Sequence, residues 1–328
     1  MNKLPFEKER KIFTRKESET DANFGISPEK RPIQDLINYG VICINKPQGP
    51  TSHQTADYVK KILNISKCGH GGSLDPHVTG VLPVALSKAT RITQSLLKAG
   101  KEYVCIMHLH SDVDELKIRK AMQEYVGKIQ QMPPIKSAVK RQLRTREIYY
   151  IDILEIKGKD VLFKIGCQAG TYIRKYCHDF GKRLNTDAHM QELIRTKAGP
   201  FTDKEMYSLH DLQDAYVFYK EGDDKELRKI IKPIEFAVQH LPKIWVFDSA
   251  VDSLCHGSSL YFGGISKVNS NIEKEDLVAV LTLKNELVGL GYSEATSKEL
   301  LEQEKGVAVK TSKVFMGINL YQKLPNKI

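Results

Sequence analysis

The stretch with the clearest potential for chemistry surrounds one carboxylate, Asp75, in the segment Gly69-His70-Gly71-Gly72-Ser73-Leu74-Asp75-Pro76. The glycines accept backbone angles that other residues avoid, and they let a bulky ligand come close to the main chain. Pro76 disfavours the helical region for the residue before it, so Asp75 should be extended, with Leu74 as an anchor for the loop. Gly80 punctuates the far side of the loop. A carboxylate held in this way suits nucleophilic or acid–base catalysis.

The same composition is also typical of an ordinary turn, in which the Asp side chain accepts a hydrogen bond from its own backbone. The spacing of the glycines matches neither the dinucleotide-binding pattern nor the phosphate-binding loop that ends in Lys and Ser or Thr. Composition alone therefore leaves a catalytic loop and a structural turn both open.

A second candidate site is the segment Gly170-Thr171-Tyr172-Ile173-Arg174, which lies between a predicted strand and a predicted helix. An arginine near a helix start, beside a glycine that admits close approach, can hold a carboxylate through two hydrogen bonds and stabilise its charged form. An ordinary strand-to-helix junction explains the same residues. Tyr103, at the start of the alternating strand that spans 101–109, is explained equally well by packing across the sheet.

Metal ligands are the next type of side chain to consider. His108, His110 and Asp112 share one face of a predicted strand, but with no further ligand in sight the pattern favours a structural role. The six cysteines are scattered and include no C-x-x-C pair, so they indicate reduced, mostly buried thiols. The sequence predicts no metal site.

A run of positive charge follows the pair Pro133-Pro134, which cannot lie within a helix or a central strand. Five basic residues and no acidic residue occur in eleven positions, and they are Lys136, Lys140, Arg141, Arg144 and Arg146. Such a run is often only a solvated surface. In a loop that leaves a core domain it is also the pattern of a nucleic-acid clamp.

The charge of the whole chain points to a polyanionic partner. The 328 residues carry a net charge of +10, with a pI near 9.1. From Lys243 onwards ten basic residues balance ten acidic ones, so the whole excess lies in the first 242 residues. The sequence contains no apolar run long enough for a membrane span, and its start lacks the apolar core of a signal peptide. We therefore expect a cytoplasmic protein.

The pattern of elements predicts three regions. Residues 1–38 are polar and mixed in charge, as in a solvated extension that is ordered only where it docks. Residues 39–242 alternate strands and helices, including a strand at 41–44, a helix capped by Ser52, a helix over 89–99 and a helical stretch over 208–238. Two further strands, at 147–157 and 161–168, should form a hairpin across the turn at Gly158. Residues 243–320 change to short strands. We expect an α+β domain with a mixed, largely antiparallel sheet, followed by a small all-β barrel.

Several of these segments together resemble motifs of the TruB branch of pseudouridine synthases. The similarity rests on Gly69 to Pro76, on Val78 to Pro83, on Lys46-Pro47-x-Gly49-x-Thr51-Ser52, on Gly170 to Arg174, and on Leu193 to Phe201. It extends from about Asn38 to the C-terminus, where the final strands resemble a PUA domain, a small RNA-binding barrel. The segment 99–105, the N-terminal extension and the PUA-like tail are most similar to the archaeal homologue of dyskerin, the catalytic subunit of H/ACA ribonucleoproteins.

The resemblance implies a role for each motif residue. Asp75 would be the catalytic carboxylate, paired with Arg174, and Tyr103 and Tyr172 would sandwich a flipped uracil. Lys46, His70 and Leu193 would complete the substrate-binding set, Lys46 by supporting the loop. The basic run within 130–146 would be a substrate-gripping thumb loop. The implied reaction is isomerisation of uridine to pseudouridine in rRNA or tRNA, which requires the nucleotide to leave its stack. It needs no metal and no organic cofactor.

The same resemblance implies partners. An H/ACA catalytic subunit depends on a guide RNA and on three small proteins: a zinc-bearing protein, a β-barrel protein that meets the thumb loop, and a kink-turn-binding protein. Two alternatives remain open at this point. One is a stand-alone enzyme that modifies the tRNA T-loop, and the other is a non-catalytic RNA-binding scaffold of the same fold.

Overall fold

The computed structural model describes residues 3–133 and 140–322, which form two compact units. The first unit contains residues 3–8 and 41–231, and the second contains residues 9–40 and 232–322. The N-terminal segment is therefore shared between the units. Its strand β1 belongs to the second unit, where it pairs with a strand from the end of the chain.

The regular elements alternate along the chain. The helices are α1 Ile33–Tyr39, α2 Ser52–Ile62, α3 Thr93–Lys98, α4 Glu115–Gln123, α5 Ile173–Arg183, α6 Leu209–Lys220, α7 Lys225–Ile230, α8 Asp248–Cys255 and α9 Ser297–Glu302. The strands are β1 Ile12–Thr14, β2 Gly40–Lys46, β3 Cys68–His70, β4 Thr79–Leu86, β5 Lys101–Leu109, β6 Gly127–Gln131, β7 Arg144–Lys157, β8 Asp160–Cys167, β9 Ala188–Ala198, β10 Phe201–Thr202, β11 Ile231–Pro233, β12 Lys243–Val246, β13 Leu260–Tyr261, β14 Ile265–Asn269, β15 Leu277–Thr282, β16 Leu287–Ser293 and β17 Val307–Val314.

The first unit is built on a mixed sheet in the order β2-β4-β9-β5-β8-β7-β6, with β3 added to β4 and β10 to β9. Among these pairs only β4 and β9 run parallel; the others are antiparallel. Strand β5 alternates as predicted, because Cys105, Met107 and Leu109 face a core that α4 and α5 cover. The sheet brings the loop before β4, strand β5 and the start of α5 to one region.

The second unit is a seven-stranded sheet in the order β1-β14-β12-β15-β16-β17-β13, in which only β12 and β15 are parallel neighbours. Its core consists of Val and Ile side chains from the strands, with Val251 and Leu254 of α8 and Leu300 of α9 packed against them. The predicted fold class is confirmed: an α+β domain with a mixed, largely antiparallel sheet is followed by a small β-rich domain.

Three predicted elements differ from the structure. The stretch from 208 to 238 is not one helix, because Gly222, just after α6, has a φ of +101°, and because α7 is followed by the short strand β11, which ends at Pro233. The helix expected over 89–99 begins as a 3₁₀ turn and becomes α-helical only at Thr93. Strand β7 starts at Arg144, three residues earlier than expected. Within the described ranges, no helix is long and apolar enough to cross a lipid bilayer.

Candidate active site

Asp75 lies in the loop that connects β3 to β4, as the glycine and proline spacing predicts. The amide of Val78 donates to the carbonyl of Asp75 (3.0 Å), which closes a tight turn around the carboxylate. Leu74 is 8% exposed and belongs to the core of the first unit, so it anchors the loop. The Asp75 side chain is 51% exposed. The loop thus presents one carboxylate from a fixed base.

The start of α2 fastens this loop from the other side. Thr51, and not the predicted Ser52, caps the helix, because its hydroxyl accepts from the amide of Gln54 while the Gln54 side chain accepts from the amide of Thr51. The Ser52 hydroxyl instead accepts a hydrogen bond from the amide of Leu74 at 2.7 Å. Ser52 therefore holds the residue that precedes Asp75.

The expected pair of Asp75 and Arg174 is present. Arg174 lies in the first turn of α5, and its Nη1 is 3.2 Å from Oδ2 of Asp75. Both side chains are half exposed, so the pair contributes at most about 1 kcal/mol to stability. The main effect of the pair is on orientation, because the guanidinium fixes the direction of the carboxylate and leaves it open to solvent and ligand.

Lys46 supports the main chain of the loop. It is fully buried, and its Nζ donates to the carbonyls of Pro47 (2.8 Å), Pro76 (3.1 Å) and Val78 (3.0 Å). These carbonyls use the donors of the ammonium, so Lys46 supports the loop, which is the role that the motif resemblance implies. Burial lowers its pKa, as does the charge of Arg195.

The remaining predicted pocket residues lie on neighbouring elements. Tyr103 is 9% exposed on β5, and its pKa is raised by burial. Leu193 is half-buried on β9 against the core. His70 ends β3, and its pKa is lowered by burial and by the charges of Arg195 and His53. Tyr172 is the residue just before α5.

Two residues that sequence reasoning missed position this site. Gln131, at the end of β6, uses its side-chain amide to accept from the amide of Tyr172 (3.0 Å) and to donate to its carbonyl (3.2 Å). Arg195 on β9 is 1% exposed and donates to loop carbonyls on both sides of Asp75. Arg195 lies within the motif 193–201 and Gln131 lies in no motif, but the contacts that give both residues their roles join segments far apart in the chain.

The predicted basic clamp lies only partly within the described residues. Lys136 falls outside them. Lys140 and Arg141 are exposed, whereas Arg144 and Arg146 are half-buried on one face of β7. Strand β7 pairs with β6, so the two arginines lie next to the strand that ends at Gln131.

His108 on β5 and His110, which follows the strand, each contact another side chain. His108 pairs with Asp160 (2.6 Å), and His110 hydrogen-bonds to His189 (3.0 Å). Throughout the described part of the chain, no group of three or more His, Cys, Asp or Glu side chains is arranged to hold a metal ion. The structural role expected for His108 and His110 therefore agrees with their contacts.

A third buried cation, Lys101 on β5, titrates near neutrality. Burial lowers its pKa to about 7 from 10.5, and the charge of Arg195 acts in the same direction. Its Nζ donates to three carbonyls around the end of α3, those of Leu96, Leu97 and Ala99. Between these two pKa values the folded protein releases a proton that the unfolded chain retains.

We therefore expect stability to rise from about pH 7 to about pH 8.5, by about 1–2 kcal/mol from this group. The window ends there because buried thiols, such as Cys167 with a pKa raised to about 12, lower the stability above pH 9. Thermal unfolding of the wild type and of Lys101→Met across this range tests the assignment. Parallel curves for the two proteins would contradict it.

The arrangement of these side chains indicates which reactions the site can perform. One oriented, half-exposed carboxylate lies beside a guanidinium, with Tyr103 on β5 and with Tyr172 two residues before Arg174. Such a carboxylate can attack an electrophilic carbon or remove a proton, and aromatic rings bind the face of a nucleobase. The site suits a reaction on a base that has left its stack.

Family comparisons cover nearly the whole chain. Residues 60–173 match the model of the TruB family pseudouridylate synthase N-terminal domain, and residues 174–239 match the tRNA pseudouridylate synthase B C-terminal domain. Residues 242–315 match the PUA domain, and residues 2–56 match the DKCLD (NUC011) domain.

Relatives and solved structures agree with these matches. The chain is 54% identical to a probable tRNA pseudouridine synthase B of Pyrococcus furiosus, over 99% of this chain and 96% of that protein. The corresponding protein of Methanopyrus kandleri is 53% identical, over 98% and 95%. A crystal structure of a Cbf5–Nop10–Gar1 complex contains a chain of 54% identity with a TM-score of 0.94, covering 98% of this chain and 99% of that one. A structure of an H/ACA RNP bound to a substrate RNA containing 2′-deoxyuridine gives 52% identity and a TM-score of 0.92, with coverage of 98% and 99%.

Fold, site and comparisons together define a pseudouridine synthase with a PUA domain. The chain belongs to the TruB family of pseudouridylate synthases, and the resemblance seen in its motifs is confirmed.

Proposed function

We propose that this chain isomerises uridine to pseudouridine in RNA as the guide-directed catalytic subunit of an H/ACA ribonucleoprotein. The observation that carries the proposal is the match of almost its full length, at a TM-score of 0.94, to a chain of the Cbf5–Nop10–Gar1 complex. The pair of Asp75 and Arg174 supports the catalytic part of the proposal.

The proposed site roles are those that the family motifs imply, and the pair of Asp75 with Arg174 supports them. Asp75 starts cleavage of the glycosidic bond, and Arg174 orients it. Tyr103 and Tyr172 hold the detached uracil while it turns, so that carbon 5 of the base rejoins the ribose in place of nitrogen 1. His70 and Leu193 contact the flipped nucleotide from β3 and β9. The bond from nitrogen 1 to carbon 1′ of the ribose breaks and a bond from carbon 5 to carbon 1′ forms, so carbon 5 gives up its proton while nitrogen 1 takes one up from solvent.

We also propose a role for each region of the chain. Residues 39–242 form the catalytic domain, residues 243–320 form an RNA-binding PUA domain, and residues 1–38 form an extension. The limits of the matched family models support the second boundary. The partners would be a guide RNA, a substrate rRNA or tRNA, and three small proteins, of which two correspond to the Nop10 and Gar1 of the related complex. The six free cysteines support a reducing compartment, and we place the protein in the cytoplasm.

The experiment that tests guide direction changes only the guide. A reconstituted complex is assayed with one guide and with a second guide whose pairing arms select a different uridine. Modification should move to the new uridine, because base pairing supplies the sequence information. Modification that stays on one tRNA position whichever guide is present would contradict guide direction. It would favour the stand-alone tRNA enzyme. The name tRNA pseudouridine synthase B suggests that activity for the related proteins of Methanopyrus kandleri and Pyrococcus furiosus.

The basic clamp has its own test. Replacing Lys140 and Arg141 with Ala should weaken RNA binding, because two fewer phosphate contacts release two fewer counterions. The slope of log affinity against log salt should fall by about two. Lys117 and Lys120, which are exposed on α4, provide a matched double variant. An equal loss of slope in both double variants, or no loss in the first, would remove the clamp assignment.

A further inference from the structure

Arg195 occupies the centre of the sheet in the first unit, between two strands that carry parts of the site. It lies opposite Gly80 on β4 and opposite Tyr103 on β5. Gly80 has a φ of +99°, and a Cβ there would lie 2.3 Å from the carbonyl oxygen of Arg195. The close approach of β9 to β4 therefore requires glycine at this position and brings the arginine directly beneath the loop.

The guanidinium of Arg195 binds the loop at both of its ends. Its Nε donates to the carbonyl of Val81 (2.7 Å), Nη2 donates to that of Gly72 (3.1 Å), and Nη1 reaches that of Ser73 (3.4 Å). Lys46 binds the carbonyls of Pro76 and Val78, which lie between those ends. Two buried cations thus hold five carbonyls of the segment that carries Asp75.

The partners of Arg195 are unusual for a buried charge. It is 1% exposed, and across residues 3–133 and 140–322 no carboxylate forms an ion pair with it. Burial lowers its pKa, whereas a hydrogen bond with the Tyr103 side chain raises it. A buried cation that is satisfied mainly by carbonyls is a costly way to gain stability, since burying a charge has a large desolvation penalty.

We propose that Arg195 is a positioning residue, which fixes the loop of Asp75 relative to Tyr103 through its bonds to Gly72, Ser73 and Val81. The inference rests on the proposed role of Asp75 as the catalytic carboxylate. A guanidinium suits this position because its rigid planar fork presents donors from three separate nitrogens, which reach carbonyls as far apart in the chain as Gly72 and Val81, whereas an ammonium presents all its donors from one atom. A loop that loses these bonds still binds RNA but presents the carboxylate in a broader range of directions.

The test compares Arg195→Lys and Arg195→Gln with Lys101→Met, all in the reconstituted complex. Lys101 is the matched control, because it is a buried cation with three carbonyl acceptors outside the loop. Gly72→Ala disturbs the same contact from the loop side, since Gly72 has a φ of +139°. It provides the test if the arginine variants do not fold. The readouts are single-turnover rate, RNA affinity, thermal midpoint and amide hydrogen exchange.

The Arg195 variants should lose about tenfold to a hundredfold in single-turnover rate at temperatures well below unfolding, with RNA affinity within about threefold. Arg195→Lys should retain more rate than Arg195→Gln. The amides of Gly71 and Val78, whose hydrogen bonds close the loop, should exchange faster. Lys101→Met should instead alter exchange near 93–101 and leave the rate within about threefold.

Unchanged exchange in the loop would overturn the proposal, whatever the turnover. Faster exchange with an unchanged rate would also overturn it, given that Asp75→Asn is inactive in the same assay. If Asp75→Asn keeps full turnover, the proposed role of Asp75 is wrong, and the positioning proposal is wrong with it. If Asp75→Asn is inactive but the Arg195 variants show unchanged hydrogen exchange in the loop, only the Arg195 proposal is wrong.

Discussion

Asp75→Asn is expected to lower the rate of pseudouridine formation by at least about 10⁴-fold, with RNA affinity within about threefold of wild type. The amide has nearly the shape of the carboxylate but is neither a nucleophile nor a base. Asp75 lies in a loop that is held by main-chain bonds and by Leu74, so the substitution leaves the fold intact. Single-turnover product formation and filter binding measure the two effects separately.

The matched control for this variant is Asp57→Asn. Asp57 is a partly exposed carboxylate on α2, and the hydrogen bonds that it accepts from Lys60 and Lys61 lower its pKa to about 2. Its removal should leave turnover unchanged. Loss of RNA binding in Asp75→Asn would make the residue structural, and full turnover would favour the non-catalytic scaffold.

Arg174→Met is expected to lower turnover by about 10²–10³-fold, the usual effect of removing one preorganised donor from a charged centre. Arg174→Lys should retain part of the activity, because an ammonium keeps the charge but not the planar fork. The ion pair with Asp75 is half exposed, so the thermal midpoint should hardly change. Turnover and thermal unfolding of the two variants are the measurements.

Arg183→Met is the control on the same helix. Arg183 pairs with Glu124 and lies at the other end of α5. This substitution should leave turnover within about threefold of wild type. Equal losses in Arg174→Met and Arg183→Met would show that the activity depends on α5 as a whole and not on the contact with Asp75.

The loop of Asp75 could be predicted because its determinants are local. Three glycines, a proline after the carboxylate and an apolar anchor before it are all visible in eight consecutive residues, and one of these glycines, Gly72, has a positive φ in the structure. The pairing of Asp75 with Arg174 is different, since about a hundred residues separate them. The residues alone allowed an ordinary junction at Arg174, and the family motifs supplied the partner.

The contacts of the supporting residues could not be predicted, because they join segments that lie far apart in the chain. Arg195 is found through the parallel pairing of β4 with β9, a contact that no local pattern indicates. The motif resemblance implies that Lys46 supports the loop, but only the fold shows which three carbonyls its ammonium binds. Ser52 and Thr51 are both good caps, and only the position of Leu74 decides which hydroxyl is free to cap α2.

Strands could be predicted from the sequence where apolar and polar residues alternate regularly. The hairpin of β7 and β8 lies where alternation and the turn at Gly158 predict it. The stretch from 208 to 238 was not accessible in the same way, because its breaks depend on Gly222 and on a strand of three residues. Short elements of this kind are determined by tertiary packing more than by propensity.

The central claim is that this chain uses a guide to isomerise a chosen uridine. Its most direct test is tritium release from RNA that carries 5-tritiated uridine at one targeted position. Wild-type protein with the guide and its partner proteins should release close to one tritium per targeted uridine, and far less without the guide. Release that is equally fast on bare tRNA without a guide would contradict guide direction, and no release under any condition would contradict the assigned activity itself.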